Sequence, residues 1–181
     1  MVYLFLAEGF EEVEALTPVD YLRRAGIEVT TVGVGGEYIT GAHGITVKAD
    51  VADIGVCAES AEIEMVILPG GMPGTLNLAA SEKVQAFIKK AAMSGAFVCA
   101  ICAAPSILGE AGLLKGRECV CYPGFEDKLV GGRVCEAGVV RSDNFITAKA
   151  AGSAQKFAAE LIAALKGRES ADKVLGAVFA E

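Results

Sequence analysis

Three short runs, Val2–Ala7, Met65–Leu68 and Ala96–Ile101, are apolar from end to end instead of alternating between apolar and polar residues. A strand with one face in water alternates; a strand without alternation is covered on both faces, which is the situation of a parallel sheet with helices above and below it. The segments between these runs supply the helices. Glu11–Ala25 carries Val13, Leu16, Val19 and Leu22 at helical spacing and is stopped by Gly26, after which β-branched Ile27–Val34 reads as a strand. Ser81–Met93 is a helix with Ser81 as its N-cap and Glu82 in its first turn, and Pro105–Gly112 is a short helix opened by proline. Gly152–Leu165 and Ser170–Gly176 close the pattern as helices, the first with an Ala/Leu/Ile/Phe face.

The remaining segments fit between these. Tyr38–Val47, broken by Gly41 and Gly44, reads as a hairpin, Pro69–Gly74 as a loop and Arg117–Tyr122 as a further strand. Val134–Arg141 and Asn144–Thr147 read as strands near a sheet edge. With no repeat, linker or low-complexity tract in 181 residues, the expectation is one domain, residues 1–181, of α/β class with a mostly parallel sheet and helices on both faces.

Charge and patterning exclude several functions. The net charge is −7, and the densest basic clusters are Arg23–Arg24 and Lys89–Lys90, so neither nucleic acid nor an anionic membrane surface is an expected partner. Ala91–Gly109 lacks charge over a nearly spanning length, but Ser94, Gly95, Pro105 and Ser106 punctuate it, and no membrane span is expected. The N-terminal apolar run has no basic region and meets Glu8 too early for a secretory signal, which makes the cytoplasm the expected location. Cysteines 57, 99, 102, 119, 121 and 135 are then expected as reduced thiols. The spacing of Cys99, Cys102, Cys119 and Cys121 loosely imitates a zinc ribbon, but strand-like surroundings replace the polar knuckles that such a site needs.

In an open parallel sheet, ligands bind beyond the carboxyl ends of the strands. That rule selects Glu8–Glu14, Gly70–Gly74 and Cys102–Ala104, which hold carboxylates, bare backbone and a thiol. Ala100 and Ala104 flank Cys102 two positions either side, the layout of a nucleophile elbow, where bulk would prevent the bend. A helix start just beyond Cys102 should draw its thiol below the ordinary value of about 8.5; a buried, inert cysteine fits the same spacing. Gly70, Gly71 and Ala103 could present backbone N–H groups to an anion or a developing oxyanion. Neither a complete G-x-G-x-x-G after a strand nor a phosphate loop is present, so a nucleotide enzyme is not supported. Glu8, Glu11, Glu12 and Glu14 crowd the first helix, where they oppose its dipole; one of them turned toward the thiol would have to be protonated or share the thiol's proton. Spacing does not choose which. The single histidine, His43, reads on its own as a turn residue.

The strings Glu11-Glu12-Val13-Glu14, Leu68-Pro69-Gly70-Gly71 and Ala100-Ile101-Cys102-Ala103-Ala104-Pro105, in this order, resemble the ThiJ/PfpI superfamily and within it the DJ-one branch. Pro18-Val19-Asp20, Arg23-Arg24-Ala25-Gly26-Ile27 and Asp127-Lys128 extend the likeness over almost the whole chain. The resemblance implies a flavodoxin-like three-layer sandwich, a homodimer, Cys102 as nucleophile and Glu14 as the carboxyl that hydrogen-bonds its sulfur. It implies Gly70, Gly71 and Ala103 as backbone donors, neither cofactor nor metal, and a small aldehyde or dicarbonyl as substrate for a glutathione-independent glyoxalase or deglycase. The alternative it carries is a redox-sensing or chaperone protein whose Cys102 oxidises to sulfinate; a binding module for a small anion is a third reading.

The sequence also departs from that pattern. Tyr122 stands where relatives have an active-site histidine, and Thr147–Ser153 where they carry a Ser-Arg-Gly-Pro-Gly type of loop. Ala103 replaces the histidine of the protease-like branch, which argues against peptidase activity. His43 occupies the place of an arginine that approaches the partner's active site in relatives, and Arg24, with Arg23, borders a first-helix face open to a partner.

Overall fold

The computed structural model describes residues 1–180 of the chain. In chain order the elements are β1 (Val2–Leu6), α1 (Glu12–Arg24), β2 (Val29–Gly33), β3 (Tyr38–Thr40), β4 (Thr46–Lys48), β5 (Val51–Ala52) and β6 (Met65–Leu68). There follow α2 (Gly74–Ala80), α3 (Glu82–Ser94), β7 (Phe97–Ile101), α4 (Pro105–Glu110), β8 (Glu118–Cys119) and β9 (Arg133–Val134). The chain closes with β10 (Val139–Ser142), β11 (Phe145–Ala148), α5 (Ala154–Lys166) and α6 (Arg168–Ala177).

The unalternating runs are buried on both faces, as their composition requires. Leu4, Leu6, Met65, Ile67, Cys99 and Ile101 pack toward α1, α5 and α6, while Phe5, Val66, Leu68, Val98 and Ala100 pack toward α3 and α4 on the opposite side. The seven-stranded sheet runs β10-β11-β7-β6-β1-β2-β5, and all its pairs are parallel except β10 with β11. Its five central strands, β2-β1-β6-β7-β11, follow the order 2-1-3-4-5 of their succession, which is the flavodoxin-like arrangement. The order reverses between β1 and β6, so the crevice at the carboxyl ends of β1, β6 and β7 is the topological switch point.

Where the structure differs from the sequence reading, local chemistry explains it. The expected strand Arg117–Tyr122 contracts to Glu118–Cys119, which pairs with Arg133–Val134 outside the main sheet. The Val120 N–H donates instead to the buried Thr147 Oγ1 (3.0 Å) and the Tyr122 N–H to the Cys102 carbonyl (2.7 Å), so side chain and turn replace a ladder. The expected strand Val134–Arg141 is interrupted at 135–138 and becomes β9 and β10. Helix α2 begins at Gly74, inside what reads as a glycine loop; a Cβ there would stand 2.6 Å from the Phe10 nitrogen, so the glycine is needed for close packing. None of the helices is long and apolar enough to cross a membrane among the described residues.

Candidate active site

The chain leaves β7 and turns at Cys102 with φ of +67°, a left-handed conformation that costs a non-glycine residue about 1–2 kcal/mol. Both peptide groups of that residue are held: its N–H donates to the Ala148 carbonyl (2.9 Å) and its carbonyl accepts from the Tyr122 N–H (2.7 Å). The elbow anticipated from the small residues around Cys102 is therefore present, fixed by β11 and by the segment after β8.

Glu14, on the first turn of α1 and 1% exposed, reaches the same spot. Its carboxyl accepts from the Gly70 N–H (3.0 Å) and hydrogen-bonds the Cys102 thiol. The approach depends on Gly70, where a Cβ would stand 2.6 Å from both Cys102 Cβ and Glu14 Oε2. The backbone donors divide their work: the Gly70 N–H is engaged by Glu14, while the Gly71 and Ala103 N–H groups point at the sulfur. The Glu11 N–H donates to the Gly70 carbonyl (2.9 Å), which ties the glycine loop to the start of α1.

Electrostatics at this pair reverse the expectation of a lowered thiol. Burial, the charge of Glu14 and its hydrogen bond push Cys102 up to about 12, against the weaker pull of the Ala103 and Gly71 N–H groups. The six-residue α4 begins only at Pro105, too short and too distant to outweigh these effects. Burial likewise pushes Glu14 up to about 7, although the thiol and the Gly70 N–H pull it down. Two acids in contact that both resist ionisation titrate as a pair, which holds two protons below about pH 7 and a single shared one above it. A carboxylate faces a thiol, or, after transfer, a neutral carboxyl faces a thiolate, and the second form has lost the repulsion that held the thiol up.

This raised carboxyl makes a prediction for stability. Between about pH 4.5 and 7 the folded state holds a proton on Glu14 that the unfolded chain has released, so stability falls as pH rises through this window, by about 3 kcal/mol at most. His43, also raised by Glu12 and Glu11, acts in the same direction, whereas Asp50 and Glu12, both lowered, act at acid pH. Urea unfolding of Glu14→Gln across pH 5–7.5 should lose most of the decline while keeping the contributions of the other groups; an unchanged slope would contradict the burial of an ionisable Glu14.

The other anticipated residues stand apart from this centre. Tyr122 touches Cys102 through its backbone, and its side chain lies on the surface, the residue being 47% exposed. Arg24 pairs with Asp20 (2.7 Å) on an exposed side of α1. His43 lies in the β3–β4 turn, as its glycine neighbours suggest, with Nδ1 2.9 Å from Glu12 Oε2. Sequence reasoning named Glu12 only as one of four acidic residues at the helix start and missed its burial against the β3–β4 turn. Residues two apart on a helix face different ways, yet Glu12 and Glu14 are both buried because each meets a different loop: Glu14 the Gly70 turn, Glu12 the turn from Gly41 to Ile45. The overlooked signal was Gly41, where any Cβ would collide with the Glu12 carboxyl.

A flavodoxin-like sandwich with a cysteine on a left-handed elbow, hydrogen-bonded to a buried carboxyl at the switch point, defines a recognisable class of thiol proteins. The DJ-1/PfpI family model matches residues 1–164, and the chain belongs to that family. It is 33% identical to protein dj-1beta of Drosophila melanogaster, over 94% of this chain and 92% of that one. It is 34% identical to a deglycase of Pyrococcus abyssi, over 91% and 99% of the two chains. A glutathione-independent glyoxalase of Caenorhabditis elegans is 32% identical, over 93% and 89%. Among solved structures, oxidized DJ-1 of Toxoplasma gondii superposes with a TM-score of 0.93 at 33% identity, covering 98% of this chain and 97% of that one.

Proposed function

We propose that the chain is a cysteine-dependent enzyme for small reactive dicarbonyls or their adducts, of the glutathione-independent glyoxalase or deglycase type. The observation that carries this reading is the Cys102–Glu14 pair, with the Gly71 and Ala103 N–H groups directed at the same sulfur. Relatives named as deglycase and glyoxalase support it.

On methylglyoxal, Glu14 takes the thiol proton as the sulfur attacks the aldehyde carbon, and the backbone N–H groups receive the developing oxyanion. The hemithioacetal then loses its C1 proton and gains one at C2, with Glu14 as the group in reach to carry it. This internal redox step leaves a lactoyl thioester, whose hydrolysis by one water releases lactate and the thiol. Carbon, oxygen and electrons balance with water as the only co-reactant. Tyr122 enters through its backbone bond to Cys102.

Incubating the purified protein with methylglyoxal, without glutathione or added metal, should yield lactate in catalytic excess over protein. Stoichiometric modification with no turnover would overturn the enzymatic reading in favour of an oxidant sensor. In that case peroxide should place two oxygens on Cys102 ahead of the five other thiols.

A further inference from the structure

A concavity of about 370 Å³ lies between β10, α5 and α6 and shares no lining residue with the thiol centre. It brings together three cations that are far apart in sequence: Arg141 on β10, Lys156 in the first turn of α5 and Arg168 at the start of α6. Glu160 is the only acidic residue of the lining, so three positive charges against one negative leave +2 in a chain whose total is −7. Exposed Asp172 adds to the field at Arg168 from outside the cavity.

These cations are fixed in place while most of their donors stay free. The Glu160 side chain, 18% exposed, sets Oε2 on the Arg168 guanidinium (2.5 Å) and turns Oε1 toward Arg141 (3.6 Å), so one carboxylate spaces two guanidinium groups. The approach to Arg141 is longer than a hydrogen bond. Arg141 is steadied instead by the ring of Phe97, whose centroid is 5.1 Å from its guanidinium carbon. Among the described residues the Arg141 side chain donates no hydrogen bond to a protein acceptor, and the Lys156 ammonium has neither such a bond nor an ion pair. A guanidinium held in one orientation with its fork of N–H donors open is prepared for an anion.

Charge and donor geometry choose among anions. A dianion neutralises a +2 lining, and donors arriving from β10, α5 and α6 suit the three terminal oxygens of a phosphate, whereas a carboxylate brings two oxygens and a single charge. Buried Ala159 and half-buried Leu175 add an apolar wall that inorganic phosphate would leave unused, and the volume is that of a small-molecule site. We infer that this concavity binds a small phosphomonoester, with its phosphate on Arg141, Lys156 and Arg168 and its organic part against Ala159 and Leu175.

Isothermal titration calorimetry of the full chain with phenyl phosphate, at about 0.15 M salt, tests this site independently of the thiol chemistry. The expected result is one equivalent bound at roughly 0.1 mM or tighter, with inorganic phosphate and benzoate each about tenfold or more weaker. Arg141→Gln and Lys156→Gln, both at exposed positions, should each weaken phenyl phosphate about tenfold or more with little change in the unfolding midpoint. Lys89→Gln, the same loss of charge on an exposed position of α3, should leave the affinity as it is. Binding only above about 10 mM, an affinity untouched by Arg141→Gln, or an equal loss in Lys89→Gln would overturn the site. Inorganic phosphate or benzoate binding as tightly as phenyl phosphate would overturn the phosphomonoester as its ligand.

Discussion

Cys102→Ser is expected to bring glutathione-free lactate formation from methylglyoxal down to the uncatalysed background, a loss of about 10³-fold or more. A serine hydroxyl is far less acidic than a thiol, and a carboxyl pushed up to about 7 cannot deprotonate it to a useful extent. The elbow itself should survive, because it is held by the Ala148 carbonyl and the Tyr122 N–H, neither of which depends on the side chain. An unchanged circular dichroism spectrum and unfolding midpoint would certify this.

No other thiol has a buried carboxyl for a partner: half-buried Cys135 turns its Sγ to the Arg133 carbonyl (3.5 Å). Cys99, Cys119 and Cys121 are buried, and burial raises all three. Cys57 is the informative control, since its Sγ also lies 2.9 Å from a carboxylate, that of Glu59, but on the exposed surface, away from the elbow and its backbone donors. Cys57→Ser should therefore keep full activity. Turnover that survives Cys102→Ser, or that disappears with Cys57→Ser, would remove the Cys102–Glu14 pair from the chemistry.

The parts of this site that were legible in sequence are those set by local backbone demands. Apolar runs without alternation announced the buried strands, small residues either side of Cys102 announced the bend, and the strand-end rule gathered Glu8–Glu14, Gly70–Gly74 and Cys102–Ala104 before any contact was known. What stayed hidden depends on contacts between distant segments. Which glutamate turns inward is decided by the Gly70 loop, 56 residues from Glu14, and the family resemblance, not spacing, singled it out. The direction of the thiol's shift was misread because a helix start was weighed without the depth of burial or the adjoining carboxyl charge, both of which arise only when β1, β6 and β7 align. The contraction of Arg117–Tyr122 was hidden for the same reason, since its N–H groups found the Thr147 hydroxyl and the Cys102 carbonyl in place of a neighbouring strand.

Glycine conformation offers the second large effect, because two positions separate backbone strain from steric crowding. Gly35 and Gly71 have nearly the same φ, +87° and +91°, in the region that L side chains avoid. A Cβ at Gly35 meets no atom within 4 Å, so Gly35→Ala should cost only the conformational penalty, about 1 kcal/mol, or about 2–4 °C in Tm for a chain of this size. At Gly71 the same methyl would press into the backbone of Glu11 and Gly9 and stand 2.6 Å from the carbonyl carbon of Phe10. None of these atoms can rotate away, because the Glu11 N–H is bonded to the Gly70 carbonyl and the Gly9 carbonyl accepts from the Gly74 N–H. Gly71→Ala should accordingly cost about 4 kcal/mol or more, about 10 °C or more in Tm, and should misplace the N–H that points at Cys102, so that activity falls even in the fraction that folds. Calorimetric scans of the two variants side by side decide the matter. Equal shifts would mean that the loop after β6 yields freely to a methyl group, and the close approach of α1 to Gly70 and Gly71 that brings Glu14 onto Cys102 would lose its steric basis.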